Sequence, residues 1–325
     1  MDTPSKLSKQ SEHWLALIIG NTRLHWGYFC QESLVGAWHT PHLTEAIAAH
    51  LNQSQFQATA WTAKSPHATP QIHTPQIYEW TNQITRSKIA TFPESPVLLC
   101  DLWIASAVPA QAQLWKEQAN VVVRSHIPIT DLYSTLGIDR AVTLLGAGAT
   151  TGWPCLVIDG GTALTFTAAK ANDLGQGKFY GGAILPGLRL QREALSQKTA
   201  ALADFVNQGQ PGKQPEKQPE KQPEKQPEKQ PERWAKDSVG AIASGLRYSL
   251  TATVIDYLQD WWQHFPQGNV LMTGGDGPLL HRYLQQRTPE VAPRVQVNSD
   301  LMFYGVQAYR QRLLSISPDL KTPLA

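Results

Sequence analysis

The chain contains the same strand, glycine turn and strand unit twice, about 140 residues apart. In the first copy, at residues 14–28, two apolar runs flank the turn Gly-Asn-Thr. In the second copy, at residues 156–167, similar runs flank the turn Asp-Gly-Gly-Thr. A repeat of this kind predicts two lobes of related build that face a shared cleft, with each turn presented to the same nucleotide.

The turn of the second copy is suited to binding a phosphate. Gly160 and Gly161 allow the backbone to approach an anion closely, and the turn amides can donate hydrogen bonds to it. Asp159 lies where a cation that bridges phosphates would need an oxygen ligand. The sequence contains neither a Gly-x4-Gly-Lys-Ser/Thr motif nor a Gly-x-Gly-x-x-Gly turn after a strand, which disfavours the P-loop and dinucleotide-binding classes.

Composition narrows the class of partner. The 325 residues include 28 basic and 26 acidic ones, for a net charge of +2, so we expect a small-molecule partner and no nucleic acid. The three cysteines lie far apart and show no metal-ligand spacing, which fits a reduced cytosol. No stretch approaches the roughly 18 unbroken apolar residues of a membrane helix. We therefore expect a soluble, cytoplasmic protein with no membrane partner.

The hydrophobic pattern predicts an α/β chain with a tail at each end. We expect an N-terminal lobe at residues 14–130 and a C-terminal lobe at 131–315, between disordered tails at 1–13 and 316–325. Residues 53–98 are polar with scattered prolines and give no clear pattern. The predicted elements are strands at 15–19, 24–29, 155–159, 163–169 and 269–273, an apolar run at 102–108, and helices at 46–51, 139–149, 238–265 and 301–314.

Two further segments are rich in glycine. Residues 181–187 contain too much glycine and proline for a regular element, so we expect either a packed turn or a loop that lines a ligand. The segment Thr-Gly-Gly-Asp at 273–276 follows a predicted strand, and its glycines would let the chain pass close to a nucleotide.

A low-complexity segment interrupts the C-terminal lobe. Residues 213–232 are five consecutive copies of Lys-Gln-Pro-Glu without an apolar residue. Proline at every fourth position blocks helix and sheet, and the alternating charges keep the backbone solvated. We therefore predict a disordered insertion at 208–232. Repeat expansion in a tolerant surface loop explains it, since loop length costs little free energy, and a proline-rich interaction tract is the alternative.

Asp139 is the strongest candidate for catalysis. It lies in Gly-Ile-Asp-Arg at 137–140, at the start of a predicted helix, whose N-terminus can also bind an anion. A carboxylate beside the forked guanidinium of Arg140 suits a small substrate that carries a hydroxyl and a carboxylate. The alternative is an aspartate that only starts a helix.

Seven short motifs, taken in order along the chain, resemble those of the type III pantothenate kinases. The pair Gly-x-Asp-Arg and, about twenty residues later, Asp-x-Gly-Thr is the most specific. The resemblance covers most of the chain outside the tail and the insertion. The motifs are Gly20-Asn-Thr22, Ser106-Ala-Val-Pro109, Gly137-Ile-Asp-Arg140, Asp159-Gly-Gly-Thr162, Gly181-Gly-Ala-Ile-Leu-Pro-Gly187, Ser238 with Ser244-Gly245, and Thr273-Gly-Gly275.

This resemblance implies an actin-like ATPase fold, with two ribonuclease-H-like lobes and a cleft between them, and a homodimer. It also implies transfer of the γ-phosphate of ATP to pantothenate, which gives 4'-phosphopantothenate in the first step of coenzyme A biosynthesis. The implied cofactors are ATP, Mg²⁺ and a monovalent cation, K⁺ or NH₄⁺.

The resemblance also assigns roles by position. Asp139 would be the general base that takes the proton from the pantothenate hydroxyl, and Asp159 would be the ligand of the monovalent cation. Ser238 stands where the family usually has a threonine, and it would act from the neighbouring subunit. The residues implied to bind substrate are Tyr133, Gly137, Ile138, Arg140 and Ser238. The residues implied to bind ATP are Gly20, Asn21, Thr22, Arg23 and Thr162.

One position departs from the family pattern in a way that affects the chemistry. Ile18 stands where the first turn normally has an aspartate, and an apolar side chain can neither coordinate a metal nor orient a metal-bound water. Thr143, where asparagine is common, is a milder change. The sequence therefore leaves three hypotheses: an active pantothenate kinase, a homologue that binds pantothenate or nucleotide in a regulatory role, and a sugar or acetate kinase. The Gly-x-Asp-Arg motif argues against the third.

Overall fold

The computed structural model describes residues 13–54, 56, 85–88, 101–115, 119–198 and 232–316. Apart from single residues at their boundaries, the predicted tails and the Lys-Gln-Pro-Glu insertion lie outside these ranges, and so does most of the region 53–98. The described chain is a mixed α/β fold with two six-stranded sheets. The predicted α/β fold class is confirmed.

The first sheet contains the strands β1 (His13–Ile19), β2 (Leu24–Cys30), β3 (Ser33–Thr40), β4 (Thr85–Lys88), β5 (Asp101–Ser106) and β6 (Ala119–Val121). Their order is β4-β3-β2-β1-β5-β6. Neighbouring strands from β1 to β4 pair antiparallel, whereas β5 pairs parallel with β1 and β6 pairs parallel with β5. Opposite Ile19 lies Leu24, which leaves residues 20–23 as the turn of the predicted hairpin. One sheet face and helix α1 (Glu45–Gln53) enclose a core rich in tryptophan.

The second sheet contains the strands β7 (Ile129–Thr130), β8 (Cys155–Gly160), β9 (Ala163–Ala171), β10 (Gly177–Pro186), β11 (Asn269–Thr273) and β12 (Val295–Val297). Their order is β12-β11-β8-β9-β10-β7. The predicted strands at 155–159, 163–169 and 269–273 correspond to β8, β9 and β11 and are confirmed.

The expectation of an irregular segment at 181–187 is wrong, because β10 continues to Pro186. Burial alternates from residue to residue along the strand, as in a sheet with one covered face. Glycine can adopt extended backbone, and Pro186 is the last residue of the strand, where a missing N–H costs little. Pairing within the sheet therefore outweighs the low strand propensity of these residues.

Seven α-helices complete the described parts of the chain. The four predicted ones are confirmed, with ends no more than two residues from those expected. Two helices of eleven residues were not predicted, because their apolar positions form no long periodic stripe. After α1, the helices are α2 (Pro109–Ala112), α3 (Ile138–Thr151), α4 (Leu188–Lys198), α5 (Ser238–His264), α6 (Gly277–Arg287) and α7 (Leu301–Ile316). Within the described ranges, none of them combines the length and apolar character needed to cross a bilayer.

The chain divides into two compact units. The first unit comprises residues 1–153, 169–180 and 300–325, and the second comprises 154–168 and 181–299. The strands of the first sheet all precede residue 122, and those of the second all follow residue 128. The lobe boundary near residue 130 stays a prediction.

Within the first unit, α3 and α7 cross at two glycines. A Cβ atom on Gly146 would lie 2.0 Å from the carbonyl oxygen of Leu301, and one on Gly305 would lie 1.9 Å from that of Val142. Since a real Cβ atom cannot approach an oxygen so closely, the backbones of the two helices pack closely only because both positions lack a side chain. This crossing fixes the position of α3, on which Asp139 lies.

Replacing Gly305 with alanine should therefore destabilise the first unit. Overpacking against a backbone that cannot yield costs about 1–3 kcal/mol or more, and we expect the urea midpoint of unfolding to fall accordingly. Gly245 is the control, because it is an exposed helix glycine whose added Cβ would meet no atom of the described chain within 4 Å. Its change to alanine should raise stability by up to about 1 kcal/mol. Equal midpoints for the two variants would contradict the close helix crossing.

Candidate active site

Asp139 lies in the first turn of α3, and Gly137 is the N-cap residue. The carboxylate Oδ1 accepts a hydrogen bond of 2.8 Å from the backbone N–H of Arg140. A Cβ atom on Gly137 would lie 2.5 Å from this Oδ1. A side chain at 137 would therefore displace the carboxylate from this position, which gives a steric reason for the glycine of the motif Gly-x-Asp-Arg.

Arg140 and Tyr133 lie together beside this turn. Arg140 is 9% exposed, and its Nη1 donates a hydrogen bond of 3.1 Å to the hydroxyl of Tyr133. Tyr133 is 42% exposed and packs edge-on against Phe179, with 5.6 Å between ring centroids. The structure thus brings four of the predicted substrate residues to the N-terminal end of α3, where the buried side chain of Arg140 contacts the hydroxyl of Tyr133.

The first glycine turn, residues 20–23, carries the predicted ATP-binding group of the first unit. The backbone N–H of Gly20 donates to the carbonyl of Arg23 at 3.0 Å, which closes the turn. The Nε2 atom of His42 lies 2.8 Å from the carbonyl oxygen of Gly20. Asn21, Thr22 and Arg23 are exposed, so the turn is accessible to a ligand.

Ile18 is 2% exposed and has no polar atom to offer beside this turn. Its cross-strand partner on β2 is His25, and the partner of His25 on β3 is His39. The two imidazoles meet through their Nδ1 atoms at 2.9 Å. Burial, the neighbouring His39 and the charge of Arg23 lower the pKa of His25 to about 3. Burial and Arg23 also lower the pKa of His39, although Asp300 opposes this shift.

These lowered pKa values should make the protein less stable in acid. In the unfolded chain His25 titrates near pH 6.5, so between pH 6.5 and 3 the unfolded state binds more protons than the folded state. Stability from this group is fully present above pH 6.5 and is lost as the pH falls, by up to about 2 kcal/mol at pH 5. The measurement is the urea midpoint at pH 7 and pH 5. A His25→Gln variant should lose less stability between pH 7 and pH 5 than the unchanged chain does. An equal loss in both would contradict the lowered pKa of His25.

The second glycine turn lies at the end of β8 in the second unit. The N–H of Gly161 donates to the carbonyl of Ala163 at 3.0 Å, and the N–H of Gly187 donates to that of Thr162 at 3.1 Å. A Cβ atom on Gly187 would lie 2.3 Å from the carbonyl oxygen of Gly161. Gly187, immediately after β10, therefore packs directly on the turn that contains Thr162.

The segment after β11 also packs on this turn. Gly274 has a φ of +83°, and a Cβ atom there would lie 2.2 Å from Oδ1 of Asp159 and 2.6 Å from the carbonyl oxygen of Gly160. The N–H of Asp276 donates to that carbonyl oxygen at 2.7 Å. Asp159, the predicted cation ligand, thus lies among three glycine-rich segments of the second unit.

Two arginines near this turn were not predicted. Burial raises the pKa of Asp276, while the charges of Arg192 and Arg189 on α4 lower it. Two cations three residues apart at the start of a helix after Pro-Gly are the sequence signal that could have identified them. The Oγ1 atom of Thr273, which is fully buried, has no hydrogen-bond partner within the described residues.

Ser238 is the first residue of α5 in the second unit. Helix α5 is capped by Asp237, whose Oδ1 accepts a hydrogen bond of 2.8 Å from the N–H of Gly240. Ser238 itself is partly exposed. Its predicted contact with substrate across a subunit interface stays a prediction.

The residues present fit a cation that is held mainly by the nucleotide. Among the residues that the structure describes, no group of three or more His, Cys, Asp and Glu side chains could hold a metal ion. Mg²⁺ usually takes one or two carboxylates and completes its coordination with phosphates and water. Asp159 is the predicted ligand of a monovalent cation, so Mg²⁺ would be held mainly by the phosphates and water.

Comparison with known proteins gives one consistent result. The family model described as Type III pantothenate kinase matches residues 14–260. The chain is 38% identical over 298 residues to the Type III pantothenate kinase of Nostoc sp. (strain PCC 7120 / SAG 25.82 / UTEX 2576). The alignment covers 90% of this chain and 93% of the relative. It is also 34% identical over 305 residues to the Type III pantothenate kinase of Synechococcus sp. (strain JA-3-3Ab). That alignment covers 94% of this chain and 95% of the relative.

Proposed function

The chain belongs to the type III pantothenate kinase family, and we propose that Asp139 is the general base of its reaction. Members of this family phosphorylate pantothenate with ATP in coenzyme A biosynthesis. The chain is accordingly a phosphotransferase with an alcohol group as acceptor, and ATP with a divalent metal ion is the phosphoryl donor. Family membership gives no support to a sugar or acetate kinase, or to an inactive homologue.

The observation that carries the proposal is the position of the Asp139 carboxylate over Gly137 at the start of α3. In the reaction, the primary hydroxyl oxygen of pantothenate forms a bond to the γ-phosphorus, and the bond from that phosphorus to ADP breaks. Asp139 accepts the hydroxyl proton as the new bond forms. The fixed carboxylate thus removes the need to orient a base during each turnover.

Arg140 and Tyr133 orient the substrate in this proposal. The guanidinium of Arg140 binds the carboxylate of pantothenate, and its hydrogen bond to Tyr133 keeps it in place beside Asp139. Gly137 and Ile138 complete the wall of this pocket, and Ser238 reaches it from a second subunit of a homodimer. The proposed location of the enzyme is the cytoplasm.

This proposal gives each unit its own contacts with ATP. In the first unit these are Gly20, Asn21, Thr22 and Arg23, and in the second unit the contact is Thr162, with turn amides and hydroxyls that donate to phosphate oxygens. Asp159 holds a monovalent cation, K⁺ or NH₄⁺, next to the phosphates. The divalent ion, when bound, neutralises charge on the β- and γ-phosphates.

The test is an assay of the purified full chain with ATP, Mg²⁺ and KCl. We expect ADP release that depends on pantothenate, with 4'-phosphopantothenate identified by mass spectrometry, and no release with glucose or acetate. Replacing KCl by NaCl should lower the rate if Asp159 holds a monovalent cation. Tight binding of pantothenate without turnover, or transfer to a sugar, would overturn the proposal.

A further inference from the structure

The polar pair His25 and His39 lies next to the position from which the family's first-turn carboxylate is missing. Side chains that face each other across antiparallel strands have Cβ atoms about 4.5–5.5 Å apart, and His25 is the direct partner of Ile18. The Nε2 atom of His25 also lies 3.8 Å from the place of a Cβ atom on Gly20. A polar ring atom is therefore present beside the first glycine turn, one strand away from residue 18.

The contact between the two rings fixes which nitrogen atoms carry protons. Burial keeps both imidazoles neutral, so one proton is shared between the two Nδ1 atoms at 2.9 Å. One ring donates with Nδ1, which leaves its Nε2 as an acceptor. The other accepts with Nδ1, so its Nε2 carries hydrogen. The two outer nitrogens, the Nε2 atoms, therefore always differ: one accepts a hydrogen bond and the other donates one.

The charges around the pair favour one of the two arrangements. Asp300 favours positive charge on His39, whereas Arg23, in the turn itself, disfavours positive charge on both rings. The arrangement that matches both charges places hydrogen on the outer nitrogen of His39, which then accepts at Nδ1. His25 then donates from Nδ1, and its Nε2 faces the turn as an acceptor.

We propose that the His25–His39 pair replaces the missing first-turn carboxylate, with His25 Nε2 accepting a hydrogen bond from a water molecule of the divalent ion that accompanies ATP. His39 is then a positioning residue, because it holds His25 in the accepting tautomer. The inference rests on the proposed binding of ATP at residues 20–23. An aspartate oxygen and an unprotonated imidazole nitrogen are both acceptors, so the substitution at residue 18 preserves the kind of contact while moving it by one strand.

The test measures binding of the non-hydrolysable analogue AMP-PNP to the full chain by calorimetry, with Mg²⁺ and with EDTA. In His39→Phe, His25 is no longer held in one tautomer, and we expect the Mg²⁺-dependent gain in affinity to fall by about tenfold. Affinity in EDTA and the KM for pantothenate should change less than twofold. His39→Asn, whose side-chain oxygen can still accept from His25 Nδ1, should restore most of the gain. His50→Phe, a half-buried histidine of α1, is the matched control and should bind as the unchanged chain does.

If His39→Phe lost equal affinity for AMP-PNP with Mg²⁺ and with EDTA, or lost none in either, the proposal would be overturned. The pair would then have a purely structural role. If His39→Phe fails to fold, ¹⁵N resonances of the histidines in the unchanged chain decide the matter. The Nε2 resonance of His25 should show an unprotonated nitrogen and should shift with AMP-PNP only when Mg²⁺ is present. A protonated Nε2 would overturn the proposal. Turnover of the unchanged chain, measured in parallel, keeps this outcome separate from a failure of the proposed kinase activity.

Discussion

Replacing Asp139 with asparagine is expected to lower kcat for pantothenate phosphorylation by about 10²–10⁴-fold, the usual contribution of a general base. Asparagine keeps the shape of the side chain, and its oxygen can still accept from the N–H of Arg140, as Oδ1 does at 2.8 Å. The start of α3 should therefore stay intact while the ability to take a proton is lost. The KM values for ATP and pantothenate should change by no more than about threefold, because an interaction made only in the transition state affects kcat.

The matched control for this prediction is Asp260→Asn. Asp260 is an exposed residue of α5 whose carboxylate lies 3.6 Å from the ring of His264, and the same chemical change there should leave kcat unaltered. Steady-state kinetics of both variants, together with their urea midpoints, provide the comparison. If Asp139→Asn retained more than about a tenth of kcat, Asp139 could not be the base.

The second large effect is expected at Gly274, where alanine should reduce activity by at least about 100-fold. Its φ of +83° is strained for alanine, and the new Cβ would overlap Oδ1 of Asp159 and the carbonyl oxygen of Gly160. Either Asp159 leaves its position or the glycine turn opens, and both outcomes disturb the turn that we propose as a phosphate contact. Stability should fall as well, by about 1–3 kcal/mol.

Gly175 offers the matched control for Gly274. Its φ is +73°, so alanine there suffers the same backbone strain, but its Cβ would have no neighbour within 4 Å among the described atoms. We expect Gly175→Ala to lose about 1–2 kcal/mol of stability with unchanged kinetic constants. Assays of both variants at a temperature where each is fully folded separate strain from the displacement of Asp159. Similar activities for the two would show that the position of Asp159 does not limit the reaction.

The elements that could be predicted from the sequence are those with a local signal. The long helix α5 repeats apolar residues every three or four positions, and β8 is an unbroken apolar run that ends in a glycine turn. The glycine before an amphipathic pattern likewise predicts Asp139 at the start of a helix, beside Gly137. Strands and helices of this kind predict an α/β chain, and the two sheets and their helices confirm that class.

Features that depend on pairing between distant segments could not be predicted. The strand β10 has a sequence typical of a loop and is regular only because neighbouring strands satisfy its backbone. His25 and His39 are fourteen residues apart, and only the register of β2 and β3 brings their rings into contact. The need for glycine at 274 is likewise visible only once Asp159 is seen next to it.

A crystal structure of the enzyme with pantothenate and AMP-PNP would show directly whether Asp139 meets the reacting hydroxyl. We predict a distance of about 2.6–3.2 Å from a carboxylate oxygen of Asp139 to the primary hydroxyl oxygen of pantothenate, with the pantothenate carboxylate on Arg140. A hydroxyl bound to a different side chain, with Asp139 beyond hydrogen-bonding reach even through one water, would contradict its role as the base.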